Sequence, residues 1–260
     1  VHVKFKATEL FTNKYGISKI YMGKKEKELY DKWKNHGFRK EMDKIFLQEG
    51  CSRQDLDEAA KSNPILVYAA NQDFDTIPVV DGDKLVFGDI TITAVEMPGH
   101  TPNHICYYLE KEKIMFLGDH ILFDITPNIT IWPGIKNSLS EYLTSLHRLL
   151  TYDIEIAYPS HRGLCYKTLQ QRVDEITEHH SIRLNEILDV VRENPGCSGY
   201  EIASKLSWSL HGESFESAPK RQIWFAIGET MAHIEYLIEI GKLYRGKKMV
   251  NGNPVHTYYI

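Results

Sequence analysis

Between about residues 78 and 161 the apolar residues recur with a period of two, switch once to a period near 3.6, and return to a short β run. That order constrains the fold more than any other feature of the chain. "IPVVDGDKLVF" holds two β runs around Asp81-Gly82, the signal of a hairpin. "DITITAVEM" (89–97) alternates with period two, and "HICYYLEKEKIMFLGD" (104–119) is two strands around a charged turn. "LSEYLTSLHRLL" (139–150) follows Asn137-Ser138 with helical spacing, and "DIEIAYPSH" (153–161) is a short buried strand ending in a Pro-Ser turn. Strands, then a helix, then another strand predict an α/β sandwich, in which chemistry collects at strand ends.

The flanks have a different texture. "KYGISKIYM" (14–22) predicts a helix end, a glycine and a short strand. Residues 25–50 are charged with apolar residues at helical spacing, which predicts one amphipathic helix or a pair, and 55–63 predict another helix stopped before Pro64. Beyond about residue 165 the pattern gives a long amphipathic helix (166–194) ended by Pro195-Gly196 and a short helix opened by a serine cap (198–208). A third helix (220–245) and a hairpin around Asn251-Gly252 (246–260) complete it. Three helices and a terminal hairpin predict a winged-helix unit, so the expected division is 1–165 and 166–260.

Composition narrows the function classes. The net charge is −4, which gives no global basic field for nucleic acid or membrane. No apolar run approaches the roughly 20 residues of a membrane helix. Cys51, Cys106, Cys165 and Cys197 are scattered with no CxxC pair, as expected of reduced thiols in a cytoplasmic protein.

Three segments share one design, an apolar strand followed by a polar residue on a tight turn. They supply His100 ("PGHT"), Asp119 ("FLGDH") and His161 ("YPSHRG"). Imidazole and carboxylate are the donors a zinc-like divalent ion takes, and they need only converge in space. An aspartate at a strand end can bridge two ions about 3.5–4 Å apart. Each residue alone is more often structural; the matched contexts in series favour the functional reading.

The strings "PGHTPNH" (98–104), "FLGDHIL" (116–122) and "PSHRG" (159–163) resemble motifs of the metallo-β-lactamase superfamily of hydrolases. "DGDKLVFGDITITAVEMPGHT" is similar to the segment before that histidine in glyoxalase II-like and lactamase-like members. The resemblance covers roughly residues 14–165 and implies an αββα sandwich, with two zinc ions and with iron or manganese as alternatives. It implies that His100 binds the first metal, Asp119 bridges and His161 binds the second. The tail from 166 is similar to that of lactamase-like thioesterases and endoribonucleases.

One motif of the family is missing. Its leading H-x-H-x-D-H string would stand before "ELFTNKYGISKIYMG", where this chain has "VHVKFKAT". If His2 is the second histidine, Lys4 and Phe5 fill the aspartate and histidine places; counted back from Gly16, the pair falls on Val3 and Lys4. The first residue is Val1, not Met, and the expectation is that upstream sequence carries the motif, the alternative being that the motif has decayed. With three protein ligands for two metal positions, weak occupancy is expected of these residues, and the aspartate that would orient the nucleophile is not legible.

The remaining polar residues have plainer readings. His104 opens a strand and is expected to make a local hydrogen bond. His120 is expected to face away from Asp119, and one of His179 and His180 to enter the core. The loop "DITPNITIWPG" (124–134) follows Asp119, which makes Asn128 and Trp132 substrate-contact candidates. In the third C-terminal helix Lys220 and Arg221 are followed by Glu229, Glu235 and Glu239, whereas Lys242, Arg245, Lys247 and Lys248 give the hairpin a modest basic cluster. A structural or dimerising role for that unit is therefore preferred over nucleic-acid binding. The expected function is metal-dependent hydrolysis of a small ester or thioester. The alternatives are a nuclease or phosphodiesterase of the same fold, and a metal-free scaffold.

Overall fold

The computed structural model describes residues 14–16, 19–33, 37–63, 75–161, 163, 167–210 and 212–260. His2 to Phe5 and Cys165 lie outside that set. The central element is a five-stranded sheet of β3 (Lys84–Phe87), β4 (Ile90–Glu96), β5 (Ile105–Leu109), β6 (Ile114–Gly118) and β7 (Ile156–Pro159), in that spatial order. β3 to β6 form an antiparallel meander, and β7 adds to β6 in parallel. A second, two-stranded sheet pairs β1 (Tyr21–Gly23) with β2 (Ile77–Val79) in parallel.

The pairing of β2 corrects one expectation. The runs on either side of Asp81-Gly82 do not form a hairpin, because β2 and β3 belong to different sheets. The turn between them is tied instead to its neighbours. Asp83 Oδ2 accepts from the Val80 amide at 2.9 Å, Gly82 N–H donates to Ala94 O, and Asp81 accepts from the Glu96 amide and the Arg148 guanidinium. These bonds divert the chain from one sheet to the next. Nor does β4 show clean alternation in burial. Its first two residues are exposed, and Ala94 and Val95 near its end are both buried, so the strand runs from solvent into the core.

Among the described residues the helices are α1 (Lys24–Trp33), α2 (Gly37–Gln48), α3 (Arg53–Ser62), α4 (Ser138–Leu149), α5 (Leu169–Glu193), α6 (Gly199–Ala203) and α7 (Lys220–Glu239). The region 25–50 is thus a helix pair. Local chemistry sets several starts: Ser52, Asn137, Thr168 and Ser198 each accept an amide of the first turn, and the last two complete a capping box with Gln171 and Glu201. The terminal hairpin of β8 (Tyr244–Val250) and β9 (Asn253–Tyr259) turns on Asn251 and Gly252, both at positive φ, as a two-residue loop between twisted strands requires.

The main hydrophobic cluster crosses the expected boundary at 165. Leu117, Ile121, Tyr142 and Leu146 pack in one body with Val173, Ile176, Trp224 and Ile227. A smaller cluster of Ile187, Val191, Ile202, Leu237, Leu243 and Tyr258 holds the C-terminal helices to the hairpin. Glu49, at the end of α2, is buried and receives the Tyr258 hydroxyl and lies 2.7 Å from His256, which fixes β9 against α2. Cys51, Cys106 and Cys197 are buried free thiols.

Candidate metal centre

Strand direction explains why the three donors meet. β4 and β6 each run antiparallel to β5, and β7 runs parallel to β6, so β4, β6 and β7 point the same way. His100 follows β4, Asp119 comes directly after β6, and His161 stands two residues after β7. All three leave the same edge of the sheet. The register Gly118↔Pro159 sets Asp119 beside the Ser160-His161 turn, and Ser160 N–H closes it onto Gly118 O at 2.8 Å.

Asp119 lies between the two imidazoles and offers a different oxygen to each. His100 Nε2 is 3.9 Å from Oδ2, and His161 Nε2 is 3.6 Å from Oδ1. The Ser160 hydroxyl also bonds Oδ1. The Asp119 side chain is 14% exposed and that of His161 51%, so the edge opens to solvent on the His161 side.

His100 is held from two directions. Its Nδ1 lies 3.1 Å from the Asn128 carbonyl, so Nδ1–H donates there and Nε2 becomes the lone-pair nitrogen facing Asp119. The Trp132 indole donates to His100 O at 3.2 Å. The turn itself depends on Gly99, whose φ is 127° and which lies so close to α4 that a Cβ there would come within 2.4 Å of the Tyr142 backbone. The tight fit allows the turn to bury against α4 while His100 points at the sheet edge.

Asn128 and Trp132, expected to contact substrate, therefore have partners within the protein. The Asn128 amide donates to Glu229 Oε2 at 2.7 Å, and Trp132 is 6% exposed. Nothing in the local sequence distinguishes these contacts from substrate contacts, because the partners lie far away along the chain.

The other histidines go inward. His104 is buried with Nε2 2.8 Å from Leu117 O, the local bond expected of it. His120 is fully buried between His104 and Tyr142, with ring centroids 6.0 and 5.3 Å away. Burial, with His104 and His100 nearby, pushes its pKa well below the ordinary value. His180 and His233 form a buried pair, Nδ1 to Nε2 at 3.0 Å. His233 Nδ1–H donates to Glu229 O at 2.7 Å, so Nε2 of His233 accepts from His180.

The donor types fit a divalent cation, and the bond to Asn128 orients one of them as such sites require. Among the described residues no group of three or more His, Cys, Asp or Glu side chains is placed closely enough to hold a metal ion. Asp119 reaches one imidazole from each oxygen. No helix among the described residues is long and apolar enough to cross a membrane.

The fold has counterparts among known proteins. The model of the metallo-beta-lactamase superfamily matches residues 7–161, more than half of the chain, and the chain belongs to that superfamily. It is 31% identical over 159 residues to the lactamase-like protein nscB of Aspergillus fumigatus, covering 57% of this chain and 45% of that one. Over 122 residues it is 29% identical to an atrochrysone carboxyl ACP thioesterase of the same fungus, covering 47% and 36%. The chain thus spans less than half the length of these two relatives. A solved metallo-beta-lactamase family protein from Thermus thermophilus superposes with a TM-score of 0.73 at 25% identity, over 93% of this chain and 71% of that one. That share includes most of the C-terminal helices, and the α/β metallo-β-lactamase fold is common to both.

Proposed function

We propose that the chain is a metal-dependent hydrolase of ester- or thioester-type bonds, with His100, Asp119 and His161 as ligands from this region. The observation that carries the reading is the aspartate held between two imidazoles at one sheet edge. A divalent cation there, zinc in the first instance and iron or manganese otherwise, would polarise a carbonyl oxygen and lower the pKa of water towards about 7. His100 and His161 would each give Nε2, and Asp119 would give one oxygen to each side. Ser160 restrains the Asp119 carboxylate, and Asn128 and Trp132 fix the turn that aims His100. Substrate would enter over the exposed His161, with the 124–134 loop as one wall.

The thioesterase relative favours an acyl thioester over a phosphodiester. We read the C-terminal helices and hairpin as a winged-helix unit with a structural or self-association role. Two of the hairpin's basic residues are already paired, Arg245 with Glu235 and Lys248 with Glu201, which leaves a weak field for RNA.

The test is zinc titration together with hydrolysis of an acyl thioester by the full-length gene product. Asp119→Ala and His161→Ala should each abolish the metal-dependent rate. Full activity in both variants would remove the assignment.

A further inference from the structure

The C-terminal helix α7 reaches the back of the candidate site at one point, and the chemistry there is unusual for a helix interior. Glu229 is 8% exposed, yet it faces Arg183 Nε at 4.0 Å and His179 Nε2 at 3.8 Å. Its Oε2 accepts from Asn128 Nδ2 at 2.7 Å, and Phe225 O, one turn earlier in α7, accepts from the same amide at 3.4 Å. The preceding residue, Gly228, approaches Thr130 so closely that a Cβ would come within 2.2 Å of its hydroxyl oxygen. Helix and loop thus meet over Asn128–Thr130, and the Asn128 carbonyl is the group that takes the His100 Nδ1 proton.

We propose that Glu229 is a positioning residue for the metal centre, acting through Asn128 to hold His100 with Nε2 turned towards Asp119. This deepens the reading of the site given above and rests on it for the identity of the ligand. The chain of contacts is continuous: Glu229 carboxylate, Asn128 amide, Asn128 carbonyl, His100 Nδ1–H, and His100 Nε2. Burial raises the carboxyl pKa, but the hydrogen bond with His179 and the charge of Arg183 lower it, and the net shift is downward, so Glu229 remains an acceptor. A charged acceptor makes a stronger bond to the amide than a neutral one would.

A full-length comparison of wild type, Glu229→Leu, Glu229→Gln, Asn128→Leu and the Asn128→Leu/Glu229→Leu pair tests this. Two quantities are read. One is the His100 ring resonance in ¹⁵N NMR of metal-free protein, which reports the tautomer. The other is the affinity for zinc alone in chelator competition. Glu229→Leu should mix the two tautomers and weaken zinc binding roughly 10-fold, the lower end of what loss of an orienting partner costs. Glu229→Gln keeps an acceptor and should stay within about threefold, a rescue that a general packing role would not give. Asn128→Leu should match Glu229→Leu, and the double variant should be no worse than either single one. Wild-type tautomer and zinc affinity in a folded Glu229→Leu would overturn the proposal, as would losses that multiply in the double variant. If wild type binds no zinc, the metal reading fails, while the tautomer measurement on metal-free protein still decides the Glu229 link.

Discussion

Histidines occupy two contrasting regions of this molecule. At the sheet edge, His100 and His161 flank a carboxylate, and the site opens towards water at His161. Inside, the buried His104 lies against His120 and the buried His180 against His233, with Tyr142 edge-on to both His120 and His180. Burial lowers the pKa of three of them, and His233 falls to about 4. The difference teaches that the residue type does not make the site. At the edge a turn presents His100 Nε2 to an acid while a carbonyl holds Nδ1. Inside, ring nitrogens meet backbone carbonyls and each other.

The largest way to break that contrast is to move His100 itself. Gly99→Ala places a side chain at φ 127°, against the Tyr142 backbone. Backbone strain and overpacking together should cost about 3 kcal/mol or more, read from the denaturant midpoint, and zinc binding should be lost with it. Wild-type stability would mean that the turn does not need the close approach.

A second test concerns the neutral interior. The folded pKa of His233 lies below its unfolded value of 6.5, so the unfolded chain binds the extra proton first as pH falls. Stability should therefore be full above about 6.5 and decline down to about 4, by on the order of 3 kcal/mol from this group. His233→Gln keeps an acceptor for His180 and should flatten that decline by roughly one proton in the pH dependence of unfolding. An unchanged slope would show that His233 takes up its proton as readily in the folded protein as in the unfolded chain.

How far the sequence foretells this arrangement depends on the range of each interaction. The strands β4 to β7, the helix α4 and the three turn residues are written in local periodicity and in short turn strings. The convergence of His100, Asp119 and His161 follows once strand direction is known. Long-range partners are not written there. Glu229 bonds Asn128 from 101 positions away, and no local pattern identifies it as other than a charged helix residue. The same limit explains the misread Asp81-Gly82 turn. Its two-residue signal is genuine, but Asp81 is bound by Arg148 from α4, and the flanks pair with strands of different sheets, β2 with β1 and β3 with β4. The N-cap residues, by contrast, act within three positions and are readable as they stand.

A smaller effect separates two neighbours in one turn. His104→Ala removes the bond to Leu117 O and the stack on His120, and should cost about 2 kcal/mol with zinc affinity kept. His100→Ala should do the reverse, losing zinc with little change in stability. If His104→Ala loses zinc as fully as His100→Ala, the division between edge and interior fails at its narrowest point.

The smallest expected effect lies at Tyr142, which touches both regions. Its hydroxyl donates to His120 O at 2.8 Å, its ring lies edge-on to His120 and His180, and its backbone carries the Gly99 contact. Tyr142→Phe removes only the hydroxyl. The lost bond should cost about 1 kcal/mol, because a buried carbonyl at residue 120 gives up a donor while the ring packing is kept. Zinc affinity should not change, since neither the Gly99 approach nor the Asn128 bond involves that oxygen. A fall in affinity on this single change would mean that the two regions are coupled through Tyr142, and that the buried histidines bear on the edge more directly than their separation suggests.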